Sequence, residues 1–325
     1  MHARKLKNIA LAIQFIAMLL VAAQPSVAQE THDSDGGYID PAKLRNQVRF
    51  RFDAAYDNPV PDRAEFFYPQ LGQGLPNPER RVDYQETEAY LESVLSPKLS
   101  VFAEIPVRLI NPTDNANSAG LSDIRAGFKY SIIDYENRQL TFQLRTFFPS
   151  GDGSRGLGTN HYSLEPGLLY QRDRDQSCTF GELRAWIPID PSTITLTNNN
   201  NQTVNVNFGG PILRYGVGYS YDLFQNKSYF QCLDCGELHE SVGNRLSFVN
   251  EFVGWTILDG LKTDFDSNAI GNNVLNSAAG DTVVNLKLGL RWTRPGDTLY
   301  VGYGRALTGD VWYKDLVRAE YALRF

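Results

Sequence analysis

The chain lacks a basic excess. It carries 31 Lys and Arg against 37 Asp and Glu, a formal net charge of −6, which argues against a nucleic-acid partner, because such proteins present a basic face. It also lacks a second long apolar run: nothing after the first 23 residues approaches the ~18 apolar residues that a membrane helix needs. Cysteine is scarce, with Cys178, Cys232 and Cys235 only. Cys232 and Cys235 form a C-x-x-C pair that reads as a small local disulfide in an oxidising compartment. The other reading, half of a metal site, finds no second Cys or His pair at suitable spacing, and Cys178 is left as a buried thiol. No phosphate-binding glycine loop is present. Gly151-Asp152-Gly153-Ser154-Arg155-Gly156 is glycine-rich but joins two alternating segments and opens no helix. The lone carboxylate of Asp152 makes a poor calcium site. No metal or cofactor is implied.

What is present begins with a secretory signal over residues 1–28. Arg4, Lys5 and Lys7 precede an apolar run from Ile9 to Ala23, and Ser26-Val27-Ala28 offers small residues for cleavage after Ala28. No Cys follows the run, so lipoprotein processing is not expected. Removal of this segment takes away three basic residues and no acidic ones, which makes the mature chain more acidic still. Residues 29–45, including Asp33-Ser34-Asp35-Gly36-Gly37, are polar and unpatterned. They read as a lead-in on the periplasmic side, with a short plug in the lumen as the alternative.

From residue 46 to 325 the dominant signal is alternation. In a strand, successive side chains point to opposite faces, so a period of two separates an apolar from a polar surface. Twelve segments carry it: near 48–54, 82–95, 99–110, 122–132, 138–148, 161–171, 179–188, 211–223, 245–257, 282–293, 298–306 and 314–325. In 282–293, Val284, Leu286, Leu288, Leu290 and Trp292 oppose Asn285, Lys287, Gly289 and Arg291. The last segment sets Val317, Ala319, Tyr321, Leu323 and Phe325 against Arg318, Glu320 and Arg324. Such a pattern implies an all-β, transmembrane, antiparallel up-and-down barrel of about twelve strands, apolar toward lipid and polar toward a wet lumen. A mean hydropathy of −0.33 does not oppose this, because every second residue of a barrel strand faces water.

Connections alternate in length. Tight ones fall at Ser96-Pro97-Lys98, at 134–137, at 172–177 and at Arg294-Pro295-Gly296-Asp297, with turn-forming residues. Most of the others are longer. Short periplasmic turns and long outer loops are a property of outer-membrane barrels. Segment 224–244 is the exception, long on the short side and bearing Cys232 and Cys235. Within 189–209, Thr193 to Thr197 and Thr203 to Phe208 alternate as a hairpin. A secreted soluble β-sandwich would also show alternating strands. Against it stand the charges recurring on one face of nearly every segment, and aromatics at segment ends, Tyr56, Tyr130, Tyr170, Trp292 and Tyr313, where an interfacial girdle belongs.

If the apolar faces meet lipid, the opposite faces line the lumen. This assigns Arg49, Arg51 and Asp53 from the first segment, Glu86, Glu88 and Glu92 from the second, and Glu104 and Arg108 from the third. Asp123, Arg125, Lys129, Arg145 and Glu165 follow, then Glu182, Arg184 and Arg214. Lys287, Arg291, Arg318, Glu320 and Arg324 complete the set. Both signs occur in similar numbers, so the charges either brace the wall in pairs or line a narrow water path. Twelve strands enclose a space between that of filled eight-stranded barrels and open porins.

Ser122-Asp123-Ile124-Arg125-Ala126-Gly127-Phe128-Lys129-Tyr130, then Phe148-Pro149-Ser150-Gly151-Asp152-Gly153, Leu157-Gly158-Thr159 and Leu164-Glu165-Pro166-Gly167-Leu168, resemble the phenol-degradation meta-pathway family of outer-membrane transport proteins. Asn160 stands where that family commonly has a second Gly. The match is best over 121–188. The resemblance implies a non-catalytic channel in the bacterial outer membrane, passing hydrophobic or aromatic small molecules. The final strand resembles the closing strand of outer-membrane barrels, which implies that Tyr321, Leu323 and Phe325 address the barrel assembly machinery. Outer-membrane lipid and a small-molecule substrate are the other expected partners. A structural barrel with an occluded lumen, or one binding through its loops, is the alternative. A third reading is a lipid hydrolase using His161 and Ser163, which share one strand face two residues apart, as in an outer-membrane phospholipase. It requires the pair to face the bilayer and a third group to orient the His.

Overall fold

The computed structural model describes residues 36–58, 82–189, 193–197, 203–207, 209–231, 238–264, 274–308 and 313–325. The signal segment and the Cys232/Cys235 pair lie outside the described residues.

Alternation makes strands, and in this chain twelve of them close on themselves. The barrel consists of β1 (Gln47–Asn58), β2 (Val82–Ser96), β3 (Leu99–Pro112), β5 (Ile124–Tyr135), β6 (Arg138–Phe148), β7 (Tyr162–Arg174), β8 (Ser177–Ile189), β11 (Ile212–Gln231), β12 (Leu238–Ile257), β15 (Thr282–Thr293), β16 (Asp297–Ala306) and β17 (Asp315–Arg324). Each pairs antiparallel with the next barrel strand in the chain, and β1 pairs with β17 from Gln47↔Arg324 to Tyr56↔Asp315. The last pairing leaves no open edge, which settles the choice between barrel and sandwich. All twelve expected segments are strands. A short β4 (Ser118–Leu121) continues the edge of β3 where the β5 pairing stops.

Three smaller features qualify the sequence reading. The hairpin expected in 189–209 is present as β9 (Thr193–Thr197) paired with β10 (Thr203–Asn207). A second hairpin, β13 (Leu261–Asp264) with β14 (Val274–Ser277), was not legible, since four residues per strand are too few to show a period. The sequence marks 224–244 as a long connection, but β11 and β12 stay paired out to Gln231↔Leu238. The register shifts between Asp222 and Phe224, and again between Gln225 and Lys227; each bulge reverses the alternation and hides the strand.

The side-chain distribution is inverted relative to a soluble domain. Among the described residues, thirty-one large apolar side chains are exposed, including Phe50, Leu109, Ile132, Val217, Phe252, Leu290 and Val301. Soluble monomers do not expose contiguous apolar surface on this scale. Inside, the largest fully buried side chains include Arg184, Arg291, Lys129 and Lys287. Tyr56, Tyr130 and Tyr170 are exposed as a girdle would require, but Tyr313 is buried at 3%. It precedes β17, where the strand period no longer fixes a face.

Candidate functional site

The inner positions of neighbouring strands lie close enough for long charged side chains to meet, and the register decides which ones do. Asp53 on β1 receives Arg318 of β17 through two bonds of 2.7 and 2.6 Å. Glu320 takes Arg51 at 3.0 Å and Arg49 at 3.5 Å. Arg51 also reaches Glu88 on β2 at 3.0 Å, and Glu88 takes Arg125 of β5 at 2.7 Å. Arg125 continues to Glu104 on β3 at 3.2 Å, and Arg108 pairs with Glu86. From Glu104 the chain of pairs passes to Arg145 on β6 at 2.8 Å, then to Glu165 on β7 at 2.5 Å. Glu165 meets Arg184 at 3.2 Å, Arg184 meets Glu182 at 2.5 Å on β8, and Glu182 meets Arg214 on β11 at 2.6 Å. The ion pairs thus run unbroken from β17 round to β11.

A lower cluster centres on Glu92. Its carboxylate accepts from the Tyr90 hydroxyl at 2.6 Å, Ser100 Oγ at 2.7 Å, Gln47 Nε2 at 3.0 Å and Lys129 Nζ at 3.0 Å. Four side-chain donors, with the Arg45 amide at 3.5 Å as a fifth, explain how this buried charge is tolerated away from water.

Strands β12, β15 and β16 complete the circle with Glu251, Lys287, Arg291 and Tyr300, and here the partner is the N-terminal segment. The backbone amides of Tyr38 and Ile39 donate to Glu251 Oε1, both at 2.9 Å. The carbonyl of Gly36 accepts from Arg291, that of Gly37 from Arg318 at 2.6 Å, and that of Tyr38 from Arg214 at 2.7 Å. Asp40 then enters the ionic ring, with Arg145 at 2.6 Å and Arg184 at 2.7 Å. Thr141 Oγ1 donates to the Ala42 carbonyl. Residues 36–42 therefore cross the lumen, which corrects the periplasmic lead-in expected for this part of 29–45. The physical reason is that its amides satisfy the buried Glu251 and its Gly36 carbonyl accepts from Arg291, while its other carbonyls and Asp40 add acceptors to Arg318, Arg214, Arg145 and Arg184, whose donors outnumber what the wall carboxylates take. Gly36 and Gly37, at φ of 80° and 153°, turn the segment, and a Cβ on Gly37 would stand 2.9 Å from Glu251 Oε1.

Above this layer, toward the long-loop end, lies a chamber of about 110 Å³. Tyr38 and the cations form part of its lining, and Tyr84, Phe147, Trp186, Trp255 and Tyr313 supply aromatic surface. Loop 149–161 is pinned beside it by Asp123, whose carboxylate accepts from the Gly151 amide at 3.0 Å and from the Thr159 amide and hydroxyl at 2.8 and 2.7 Å. Burial still pushes the Asp123 carboxyl above its ordinary pKa, with these donors opposing the rise.

The twenty residues from Arg49 to Glu320 that the alternation assigns to the lumen sit inside the barrel, buried or half-buried. The sequence did not identify Asp40, Tyr38 or Glu251, nor the inward aromatics. Arg324 lies at the short-turn rim, where it bonds Thr298 and the Arg294 carbonyl. Tyr321 donates to Asp297 at 3.0 Å, Leu323 is exposed, and Phe325 packs on the outer cluster of Leu91 and Ala103. His161 and Ser163 are buried at 6% and 0% on the inner side. A lipid hydrolase would need them at the bilayer.

A scan of protein-family models and a search of curated proteins find no match. Among solved structures, the chain is similar to the COG4313 outer membrane channel from Pseudomonas putida F1. The TM-score is 0.52 at 10% identity, covering 91% of this chain and 100% of that one. Lower scores link it to the beta domain of the Bordetella autotransporter BrkA (0.47, 12% identity, 87% and 100% covered) and to the NanC porin (0.43, 10% identity, 85% and 98% covered). At 10% identity the likeness to the COG4313 channel is one of fold alone.

Proposed function

We propose that the protein is an outer-membrane transport barrel that passes small molecules through its charge-lined lumen, and that residues 36–42 close this lumen in the resting state. The observation that carries the reading is the pairing of an apolar exterior with a lumen whose charges are shared between the wall and a crossing N-terminal segment. A purely structural barrel has no need of a removable filling, because wall-to-wall pairs could brace it alone. The location is supported by the exposed apolar belt and by short turns at one end and long loops at the other. On this reading the short turns are periplasmic, and Tyr321, Leu323 and Phe325 carry the assembly signal. Passage of hydrophobic or aromatic compounds rests on the resemblance over 121–188 to the phenol-degradation family.

Single-channel recording in a planar bilayer tests this. The refolded mature protein is expected to be mostly closed with brief openings. A chain beginning at Lys43 should conduct steadily. If that shortened chain is folded, as shown by a heat-modifiable gel shift, and still silent, the structural barrel with an occluded lumen is the better reading. The buried Arg184, Arg291 and Lys129 would favour that outcome.

A further inference from the structure

The chamber carries information about what it holds. Its lining includes seven cations, Arg51, Arg108, Arg125, Arg145, Arg214, Lys287 and Arg318, against four carboxylates. The carboxylates are engaged: Asp53 by Arg318, Glu86 by Arg108 and Arg125, Asp123 by loop 149–161, and Glu165 by Arg145 and Arg184. Lys287 differs from its neighbours. It is 2% exposed, and its Nζ lies 3.5 Å from the ring centre of Tyr38, 5.2 Å from Trp255 and 5.5 Å from Tyr313. Among the described residues no carboxylate stands within ion-pair distance of this ammonium. Three aromatic faces offset part of the cost of burying a cation. Glu251 is the register partner of Lys287 on β12, but its carboxylate is taken by the Tyr38 and Ile39 amides, so a direct counter-anion is still the more effective partner.

The cavity volume is of the order of the ~150 Å³ space that accepts one benzene in an engineered protein interior. Trp186 and Phe147 stand edge to face, with centroids 6.5 Å apart, and line one wall. We infer that the chamber is a binding site for a small planar monocarboxylate, with the ring between the aromatic walls and the carboxylate on Lys287. This deepens the transport reading and rests on it for its purpose. It also narrows the substrate class, since a neutral hydrophobic compound would leave Lys287 without a direct ion pair.

Titration calorimetry on the refolded mature barrel in detergent micelles tests the site without any bilayer, so a silent conductance experiment does not decide it. Benzoate is the probe, with benzyl alcohol and benzylammonium as neutral and cationic analogues and cyclohexanecarboxylate as a non-planar one. Benzoate should bind saturably at one site, and benzyl alcohol about tenfold or more weaker, as for a lost charge-assisted pair. Lys287→Met should lose benzoate binding by a similar factor, while Lys98→Met in a short turn should not. Equal binding of benzoate and benzyl alcohol, or unchanged affinity in a folded Lys287→Met, would overturn the proposal. If Lys287→Met does not refold, the ligand series on the wild type decides alone. A steady conductance with no benzoate binding would leave the channel standing and remove this site.

Discussion

At the scale of single residues, the interior is governed by how each buried charge is partnered. Glu92 is the simplest case, because its donors are well defined: the side chains of Tyr90, Ser100, Gln47 and Lys129, with the Arg45 amide at a longer 3.5 Å. Glu92→Gln keeps the shape and removes the charge, leaving the Lys129 ammonium buried without its carboxylate. A loss of about 3–5 kcal/mol is expected, as for one half of a buried pair, read from reversible urea unfolding in micelles; an unchanged midpoint would mean that water reaches Lys129. His161 gives the pH response. It packs against the Trp186 ring with centroids 5.9 Å apart, and Asp123 is the nearby charge. Burial pushes its imidazole below the ordinary pKa of about 6.5, and the Thr159 backbone bond and Asp123 only partly oppose this. A depressed base is neutral in the fold, so its contribution is whole above the ordinary value and is lost as pH falls through the folded one. The unfolding midpoint of the wild type should therefore drop more, between neutral pH and about pH 5, than that of His161→Asn. Parallel profiles would show that the loop does not sense His161.

Between residue and barrel lies the element, and here the sequence spoke unevenly. Strands were legible because their period is local: Lys287 and Arg291 alternate with Leu286, Leu288 and Leu290 whatever the neighbours are. The face of each charge followed from the same rule. Partners did not, because Arg145 meeting Glu104 and Glu165 depends on the register of three strands. The crossing segment was hidden for a different reason. Gly36, Gly37 and Tyr38 act through carbonyls and amides, which every residue has, so only Asp40 and two glycines mark it. Tyr313 misled because it lies outside a strand. The segment also makes a prediction at its own scale. Gly37→Val places side-chain atoms against Glu251 in a conformation that L residues rarely adopt, so Tyr38 and Ile39 cannot both keep their amides on it. Open probability in bilayers should rise toward that of the chain beginning at Lys43. A variant as closed as the wild type would place the closure elsewhere.

For the whole molecule, the decisive quantity is what the lumen becomes when the segment leaves. In place, residues 36–42 give acceptors to five cations: three carbonyls to Arg291, Arg318 and Arg214, and the Asp40 carboxylate to Arg145 and Arg184. They give donors to Glu251, and a longer one, 3.4 Å from the Asp40 amide, to Glu182. Departure therefore strips more acceptors than donors from the wall and removes one negative charge from its centre. Lys287 also loses the Tyr38 ring beneath it. The vacated path is lined by guanidinium groups with unused donors, and a narrow low-dielectric pore concentrates ions of the opposite sign. The chain beginning at Lys43 should be anion-selective, seen as a reversal potential displaced toward that of chloride in a potassium chloride gradient. Raising the salt should weaken the preference as screening shortens. A cation-selective pore would mean that Glu251 and Glu182, released by the same departure, dominate the field, and the balance of the interior would then have to be drawn around the carboxylates.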